Sequence, residues 1–444
     1  MMHTKRQPVV KSQSVRIVAR LVLVSCLLVV QPIVLAQGGQ PDEHWVGTWA
    51  TAVVEQPAAR TAEQEAPPFA NQTLRQIVHV SLGGERVRVV LSNTFGTLPL
   101  KVGAAQIALR AEDSAIVPES RRVLTFGGRP ATTIPAGAVV FSDPVNLTVP
   151  ALADLAIDLY FPADTGTAGS PLTTHSAANQ TNYLSTPGNH TAAAELPVMT
   201  TTSSWFFLSR VEVVAAEGVG AVVVLGDSIT DGTGSTSDTN SRWPDHLARR
   251  LHAENIPMGV LNLGIGGNRV LSDGMGVSAL SRFDRDVLAQ TGATHVIVLE
   301  SINDIGLALN DLGLPRSDPP PTAAEIIFGH EQLIARARAH GLKIYGATLT
   351  PFGGTAIPVI PNYWTAEGAA TRLAVNAWIR TSQAYDAVID FEAAVYDPEA
   401  PTTFLPQYDS GDHLHPGDAG YAALADAVDL ELLKTSDRQT AAAR

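Results

Sequence analysis

Cysteine is almost missing from this chain: 444 residues hold one, Cys26. It falls in an apolar run over 21–36 that follows five basic residues, Lys5, Arg6, Lys11, Arg16 and Arg20, and no acidic one. That is the layout of a secretory signal, and Val34-Leu35-Ala36 offers its cleavage site before Gln37. The mature chain would then carry no thiol, which excludes disulfides, thiolate metal sites and a cysteine nucleophile. Aromatic residues, at 6%, give no support for a sugar-stacking platform. Positive charge is short too: 30 basic residues face 43 acidic ones, for a net −13, and loss of the basic leader would leave the body more acidic still. Such a body repels nucleic acid and anionic membrane surfaces. No second long apolar run follows the leader, so the mature chain is expected to be soluble, with no stable membrane insertion. Glycine and proline (36 and 29 residues) recur without a period, which excludes a collagen-like chain. With 45% hydrophobic and 16% charged residues, disorder is excluded as well.

At roughly 150 residues per domain the length allows two or three domains. Residues 1–36 are read as the signal, with lipid attachment at Cys26 as an alternative because Leu23-Val24-Ser25-Cys26 has the form of a bacterial lipoprotein box. Residues 37–216 are strand-like: 87–91, 155–161 and 206–213 alternate or run β-branched, with Gly83-Gly84, Gly127-Gly128 and Pro187-Gly188-Asn189 as turn signals. They predict an antiparallel, β-sandwich-like domain. From about 217 to 434 the texture changes. Short apolar strands at 221–225, 259–263, 295–300, 343–349 and 387–391 alternate with helical segments at 242–255, 277–290, 323–340, 366–384 and 417–433. This predicts an α/β domain, a five-stranded parallel sheet with helices on both faces. Residues 435–444 form a polar tail.

Chemistry concentrates in four places. The apolar strand Val222-Val223-Val224-Leu225 runs into Gly226-Asp227-Ser228-Ile229, which delivers Ser228 to the carboxyl edge where open parallel sheets bind ligands. The plain alternative is a βα turn in which Asp227 or Ser228 caps a helix. Asp412-His413-Leu414-His415 precedes the last helical segment. A serine hydroxyl needs an imidazole to take its proton, and the imidazole needs a carboxylate on its other nitrogen. Asp412, three residues before His415, meets that need within one turn; Asp409 ranks second. His413 and His415 would point to opposite sides of an extended strand, which argues against a two-histidine metal clip. The second and third strands lead into Gly264-Ile265-Gly266-Gly267-Asn268 and Glu300-Ser301-Ile302-Asn303-Asp304. A glycine N–H and an asparagine amide suit an oxyanion, although a Gly-rich loop can equally be a phosphate loop or a tight turn. The G-x-G-x-x-G spacing, a Walker Gly-Lys-Ser/Thr and the G-x-S-x-G elbow are all missing.

Together these four blocks resemble the SGNH (GDSL-type) serine hydrolases, in their order and on their elements. The resemblance spans about 220–433. It implies a flavodoxin-like fold, a nucleophile at Ser228 whose amide also serves the oxyanion hole, further oxyanion donors at Gly267 and Asn303, a base at His415 and its carboxylate at Asp412. It calls for no cofactor and no metal. Ser301 departs from the family's usual glycine, and its replacement by glycine is expected to be tolerated or mildly helpful. Trp45-Val46-Gly47-Thr48-Trp49, the stretch from Leu74-Arg75-Gln76 to Ser92-Asn93, and Arg242-Trp243-Pro244-Asp245 are similar to secreted bacterial GDSL esterases near the acetylxylan-esterase and lysophospholipase-like branches. The implied partner is a small-molecule or polysaccharide ester. Short acyl groups are favoured because the loops at 232–241 and 353–361 are polar or small. Competing readings are a lysophospholipase or lipase for longer chains, and a carbohydrate-binding surface protein that keeps a relic hydrolase domain. Oligomeric state is not legible.

If protein groups alone carry the chemistry, hydrolysis withstands exhaustive EDTA and declines as acid protonates the histidine. A reversible loss on chelation, restored by a divalent ion, would instead make His413 and His415 ligands.

Overall fold

The run of buried residues Gly-Ala-Val-Val-Val-Leu-Gly, strand Gly220–Gly226, has no polar face, as a strand covered on both sides requires. In the computed structural model, which describes residues 43–56, 69–165, 170–308, 319–355, 357–358 and 360–434, it is an inner strand of a five-stranded parallel sheet. Met258–Gly264 lies on one side of it; Ala293–Leu299, Lys343–Ala347 and Ala387–Ile389 follow on the other. The order second-first-third-fourth-fifth is the flavodoxin-like one, with the reversal beside the first strand. The helices pair as Trp243–Ala253 with Asp418–Asp426 and Ala323–Ala339 with Ala366–Thr381, one pair for each face. Residues 1–36, read above as a signal, Cys26 and the polar tail lie outside the described residues.

Some boundaries differ from expectation for local reasons. The fifth strand stops at Ile389 because Asp390 caps the next helix, accepting from Ala393 N. The segment expected as one helix over 277–290 divides into Ala279–Phe283 and a π turn, Asp284–Leu288. The last helix ends at Asp426, and Asp429 starts a separate 3-10 turn.

The antiparallel half packs two sheets face to face. One runs Trp45–Ala50, Leu208–Val214, Gly84–Ser92, Val145–Val149, with Val139–Phe141 also on Gly84–Ser92. The other runs Val198–Thr202, Asn182–Pro187, Gln72–His79, Asp154–Phe161, Ala104–Leu109, Arg122–Leu124. Alternate residues Leu155, Ile157, Leu159 and Phe161 meet Val87, Val89, Leu91, Val211 and Val213 in one core, as a sandwich requires. The strand expected over 206–213 is broken at Phe207, whose φ is +57°. Leu208–Val214 stays in the first sheet, while Trp205–Phe206 joins Thr173–His175 and Val54–Glu55 in a small third sheet.

The two kinds of sheet pack against each other, and Glu43–Arg444 form one compact unit. Trp45–Ala50 runs so close to the edge strand Met258–Gly264 that a Cβ on Gly259 would stand 2.0 Å from Gly47 O. Ser81 Oγ accepts from Val260 N at 2.9 Å, and Gly47 N donates to Thr291 O at 2.9 Å. The parallel sheet's edge is thereby covered, as edges must be. No helix among the described residues is long and apolar enough to cross a membrane.

The outer face of the six-stranded sheet carries a buried ion pair. Arg75 donates to Asp158 through Nε (2.7 Å) and Nη2 (2.8 Å) and also to the carbonyls of Ser114 and Ala193. Arg75→Met strands Asp158 and is expected to cost about 3–5 kcal/mol in denaturant unfolding, while Arg75→Met/Asp158→Leu recovers most of that loss. An undiminished single variant would contradict this reading.

Candidate active site

Register alone brings three segments to one level. Gly226 pairs with Gly264 on one side and with Leu299 on the other, so the loops carrying Ser228, Gly267 and Asn303 leave the sheet side by side. Past Gly226 the chain must turn at once. A Cβ there would lie 2.1 Å from Thr230 Oγ1 and 2.6 Å from Leu299 O, so the residue has to be glycine. Asp227 then caps the single turn Ser228–Asp231 by accepting from Ile229 N at 2.9 Å, and Gly232, at φ +107°, ends it. Capping and chemistry thus fall to neighbouring residues: Asp227 caps and Ser228 presents its hydroxyl.

His415 Nε2 lies 2.8 Å from Ser228 Oγ, and His415 Nδ1 lies 2.5 Å from Asp412 Oδ2. Asp412 holds its own turn, because its Oδ1 accepts from the amides of Leu414 (2.9 Å) and His415 (2.8 Å). Burial opposes its charge, but the hydrogen bond and charge of His415 and those two amides hold the carboxyl well below its ordinary value. Asp412 is therefore a carboxylate at any pH of interest. The backbone here is not extended as expected: Gly411 and His413 have φ of +104° and +61°. His413 still takes a different partner, Asp409 Oδ2 at 2.5 Å, and remains exposed while His415 is buried.

Opposite the histidine, Gly267 turns at φ +74° and its N–H has no partner among the described residues. Asn303 is buried; its Oδ1 accepts from Tyr363 OH at 2.8 Å, and its Nδ2 is left without a partner among the described residues. Tyr363 therefore fixes which end of the amide is free to donate. Gly306 makes room for it, since a Cβ there would stand 2.4 Å from the ring. Asp304 reaches back to the glycine loop, accepting from Val270 N (2.7 Å) and Leu271 N (3.0 Å). Burial lifts the Asp304 carboxyl to about 6 against the pull of those amides. Successive residues thus supply one donor and anchor the loop carrying another.

Ser301 sits at φ +112°, where a glycine would be unstrained. Its Oγ pairs with His330 Nε2 at 2.8 Å, and His330 Nδ1 with Tyr385 OH at 2.5 Å. Burial pushes His330 down to about 4, so it is neutral. That polar chain explains how serine replaces glycine here.

The structure brings together Ser228, Asp412 and His415 in one hydrogen-bonded chain. It places Gly267 and Asn303 on loops adjoining Ser228. Sequence reasoning missed Tyr363, the loop-holding part played by Asp304, and Arg282. Arg282 donates beneath the site to the carbonyls of Gly226 and Leu263. The only signal for Tyr363 is the adjacent aromatic pair Tyr363-Trp364 just before a helix.

A hydroxyl–imidazole–carboxylate chain at the carboxyl edge of an open parallel sheet can pass the hydroxyl's proton to the imidazole and turn the oxygen on an acyl carbon. Fold and site define a carboxylic ester hydrolase. Residues 224–423 match the model of the GDSL-like lipase/acylhydrolase family, and this half of the chain is a domain of that family, SGNH type. Solved structures similar to it include a GDSL-like lipase from Bacteroides thetaiotaomicron, 17% identical, covering 48% of this chain and 89% of that one at a TM-score of 0.34. An aryl esterase from M. smegmatis is 15% identical and covers 49% and 100%, at 0.39. A carbohydrate acetylesterase from Sinorhizobium meliloti is 15% identical and covers 48% and 98%, at 0.38. No curated protein matches the chain.

The Ser301 geometry sets two effects against each other. Ser301→Gly relieves the strained φ but strands His330 Nε2, and its stability is expected to stay within about 1 kcal/mol of the parent. Ser301→Ala keeps the strain and loses the bond, and should cost about 1–3 kcal/mol. Urea unfolding of both variants gives the order; alanine no worse than glycine would remove the backbone strain from the account, and alanine as stable as the parent would remove the hydroxyl–imidazole bond.

Proposed function

We propose that this protein is a secreted serine esterase that releases short acyl groups, acetyl first, from sugars or other alcohols by way of an acyl-enzyme on Ser228. The observation that carries the reading is the chain Ser228–His415–Asp412, at 2.8 and 2.5 Å, beside the buried and unpartnered Asn303 Nδ2. His415 Nε2 takes the proton of Ser228 Oγ as that oxygen attacks the ester carbonyl. The carbonyl oxygen becomes an oxyanion facing Ser228 N–H, Gly267 N–H and Asn303 Nδ2. The imidazolium then gives its proton to the departing alcohol, and a water activated by the same histidine releases the acid. Two bulky side chains support the short-acyl part of the reading. Tyr363 is bonded to Asn303, and Met275, 44% exposed, packs on Gly267, where a Cβ would stand 2.3 Å from Sδ. One stands against each of the two loops that carry the donors. Export rests on the 1–36 pattern.

A p-nitrophenyl ester series, run beside acetylated xylan and lysophosphatidylcholine, tests substrate class. Rates should fall from acetate to longer chains; preference for lysophosphatidylcholine would turn the reading to a lysophospholipase. Ser228→Ala should lose ~10⁶-fold in turnover while staying folded. Asp412→Asn and His415→Ala should each lose orders of magnitude, and Asp409→Asn and His413→Ala little. Asn303→Ala should lower kcat ~10²–10³-fold with KM nearly unchanged, the pattern of an interaction made only in the transition state. A lowered Tm with kcat intact would take Asn303 out of the oxyanion hole.

A further inference from the structure

The turn that presents Ser228 spans four residues, Ser228–Asp231. A helix that short does not hold itself in water, because one or two hydrogen bonds do not offset the ordering of its backbone. Within it Asp231 N reaches Asp227 O, and Gly232 N reaches Ser228 O, both at 2.9 Å. The rest of its restraint comes from outside. Asn262 Nδ2 donates to Thr230 O at 2.8 Å. Asn179 Nδ2 donates to Gly232 O at 2.7 Å. His175 Nε2 meets Asp231 Oδ1 at 3.0 Å.

Asn262 belongs to the parallel sheet, whereas His175 and Asn179 belong to the antiparallel half. His175 is itself fixed on three sides. It lies on the short strand Thr173–His175, its ring sits tilted against Trp205 with centroids 5.6 Å apart, and its Nδ1 faces Ala52 O at 2.8 Å. With a carbonyl on one ring nitrogen and a carboxylate on the other, both nitrogens donate, so the group is an imidazolium buried against a carboxylate. Such a pair is costly to break from one side, since that leaves a buried charge uncompensated. It is therefore stiff, and it grips the turn one helical step from Ser228. Asn179 adds a second hold at the turn's end, and its carbonyl accepts from Asp238 N at 3.0 Å in the loop beyond.

We propose that His175 and Asn179 are positioning residues for Ser228: the antiparallel half clamps the nucleophile's turn so that Ser228 Oγ stays in line with His415. This rests on Ser228 being the nucleophile. The antiparallel half is then part of the catalytic apparatus. A displacement of about 1 Å in a reacting group costs on the order of 10²-fold in rate, and loss of a clamp on a four-residue turn allows that much.

The test uses the full chain with His175→Leu, His175→Gln and Asn179→Ala, and Ser228→Ala in parallel. Three quantities are measured on each: kcat and KM for p-nitrophenyl acetate, the second-order rate of labelling by a fluorophosphonate probe, and Tm. His175→Leu should lower kcat by ~10²-fold with KM within about twofold, and slow labelling by a similar factor. His175→Gln, which restores a donor to Asp231, should recover a large part of both rates. Asn179→Ala, at a half-buried loop position with φ +47°, adds backbone strain that the Tm reads; it should slow labelling several-fold and answers the question if His175→Leu does not fold. Parent rates of labelling and turnover per folded molecule in the folded variants, whatever their Tm, would overturn the proposal. Ser228→Ala separates the two readings: if it still turns over and labels, the assignment of the nucleophile fails, and if it is dead while the clamp variants match the parent, only the clamp fails.

Discussion

One guanidinium ties the active-site end of this fold together. Arg282, 1% exposed, donates from Nη2 to Gly226 O (2.9 Å), from Nη1 to Leu263 O (2.6 Å) and from Nε to Asn268 Oδ1 (2.9 Å). Nη1 also reaches Asp286 Oδ2 at 3.1 Å, and Nη2 stands 3.7 Å from Glu300 Oε1. Parallel strands end in carbonyls that have no further partner in the sheet, and here those ends are buried. A planar group with five donors satisfies several at once, which the single point charge of lysine could not. Its reach matters as much as its charge. Gly226, Leu263 and Glu300 close the three strands from which the loops of Ser228, Gly267 and Asn303 depart, so one side chain fixes their mutual spacing.

The same burial shapes the acids around it. Asp227 is pushed up to about 7 by burial, against the pull of Ile229 N and the charges of His415 and Arg282. Glu300 is held well above its ordinary value by burial and then by the charge of Asp227. Around neutral pH the ground beneath the serine therefore carries fewer negative charges than its carboxyls suggest. Asp412, half outside and bonded to imidazole and amides, stays charged. Two kinds of environment thus separate buried carboxyls that hold their protons more tightly than usual from the one charged support for the histidine.

Most of the α/β half was legible because its signals are local. An apolar run bounded by Gly226 reads as a covered strand, and Asp412-x-x-His415 closes its own turn through the amides of Leu414 and His415, so spacing alone implied the contact. Phe207 shows the opposite case. Its left-handed φ splits a strand that reads as continuous, and nothing in the alternation over 206–213 marks the switch between sheets. Tyr363 on Asn303, His175 on Asp231 and Arg282 under three strand ends were not legible for a single reason. Each depends on a pairing across dozens of residues, and a periodic pattern records which face is buried without recording what it is buried against. Ser301 is intermediate: the departure from glycine is visible in the chain, while its compensation by His330 exists only in three dimensions.

The pairing of Trp45–Ala50 with Leu208–Val214 bears on how the molecule assembles. The first strand of the folded unit finds its antiparallel neighbour only after the whole sandwich has been synthesised, and the same strand also shields Met258–Gly264 of the second sheet. Closing so long a loop is entropically expensive and is not repaid until many contacts form together. The early chain therefore waits, with its apolar strands unpaired, and folding should be slow and concerted across both halves. A polypeptide that cannot finish its first sheet until late keeps apolar surface open for longer, and stays exposed to aggregation until both halves have been made.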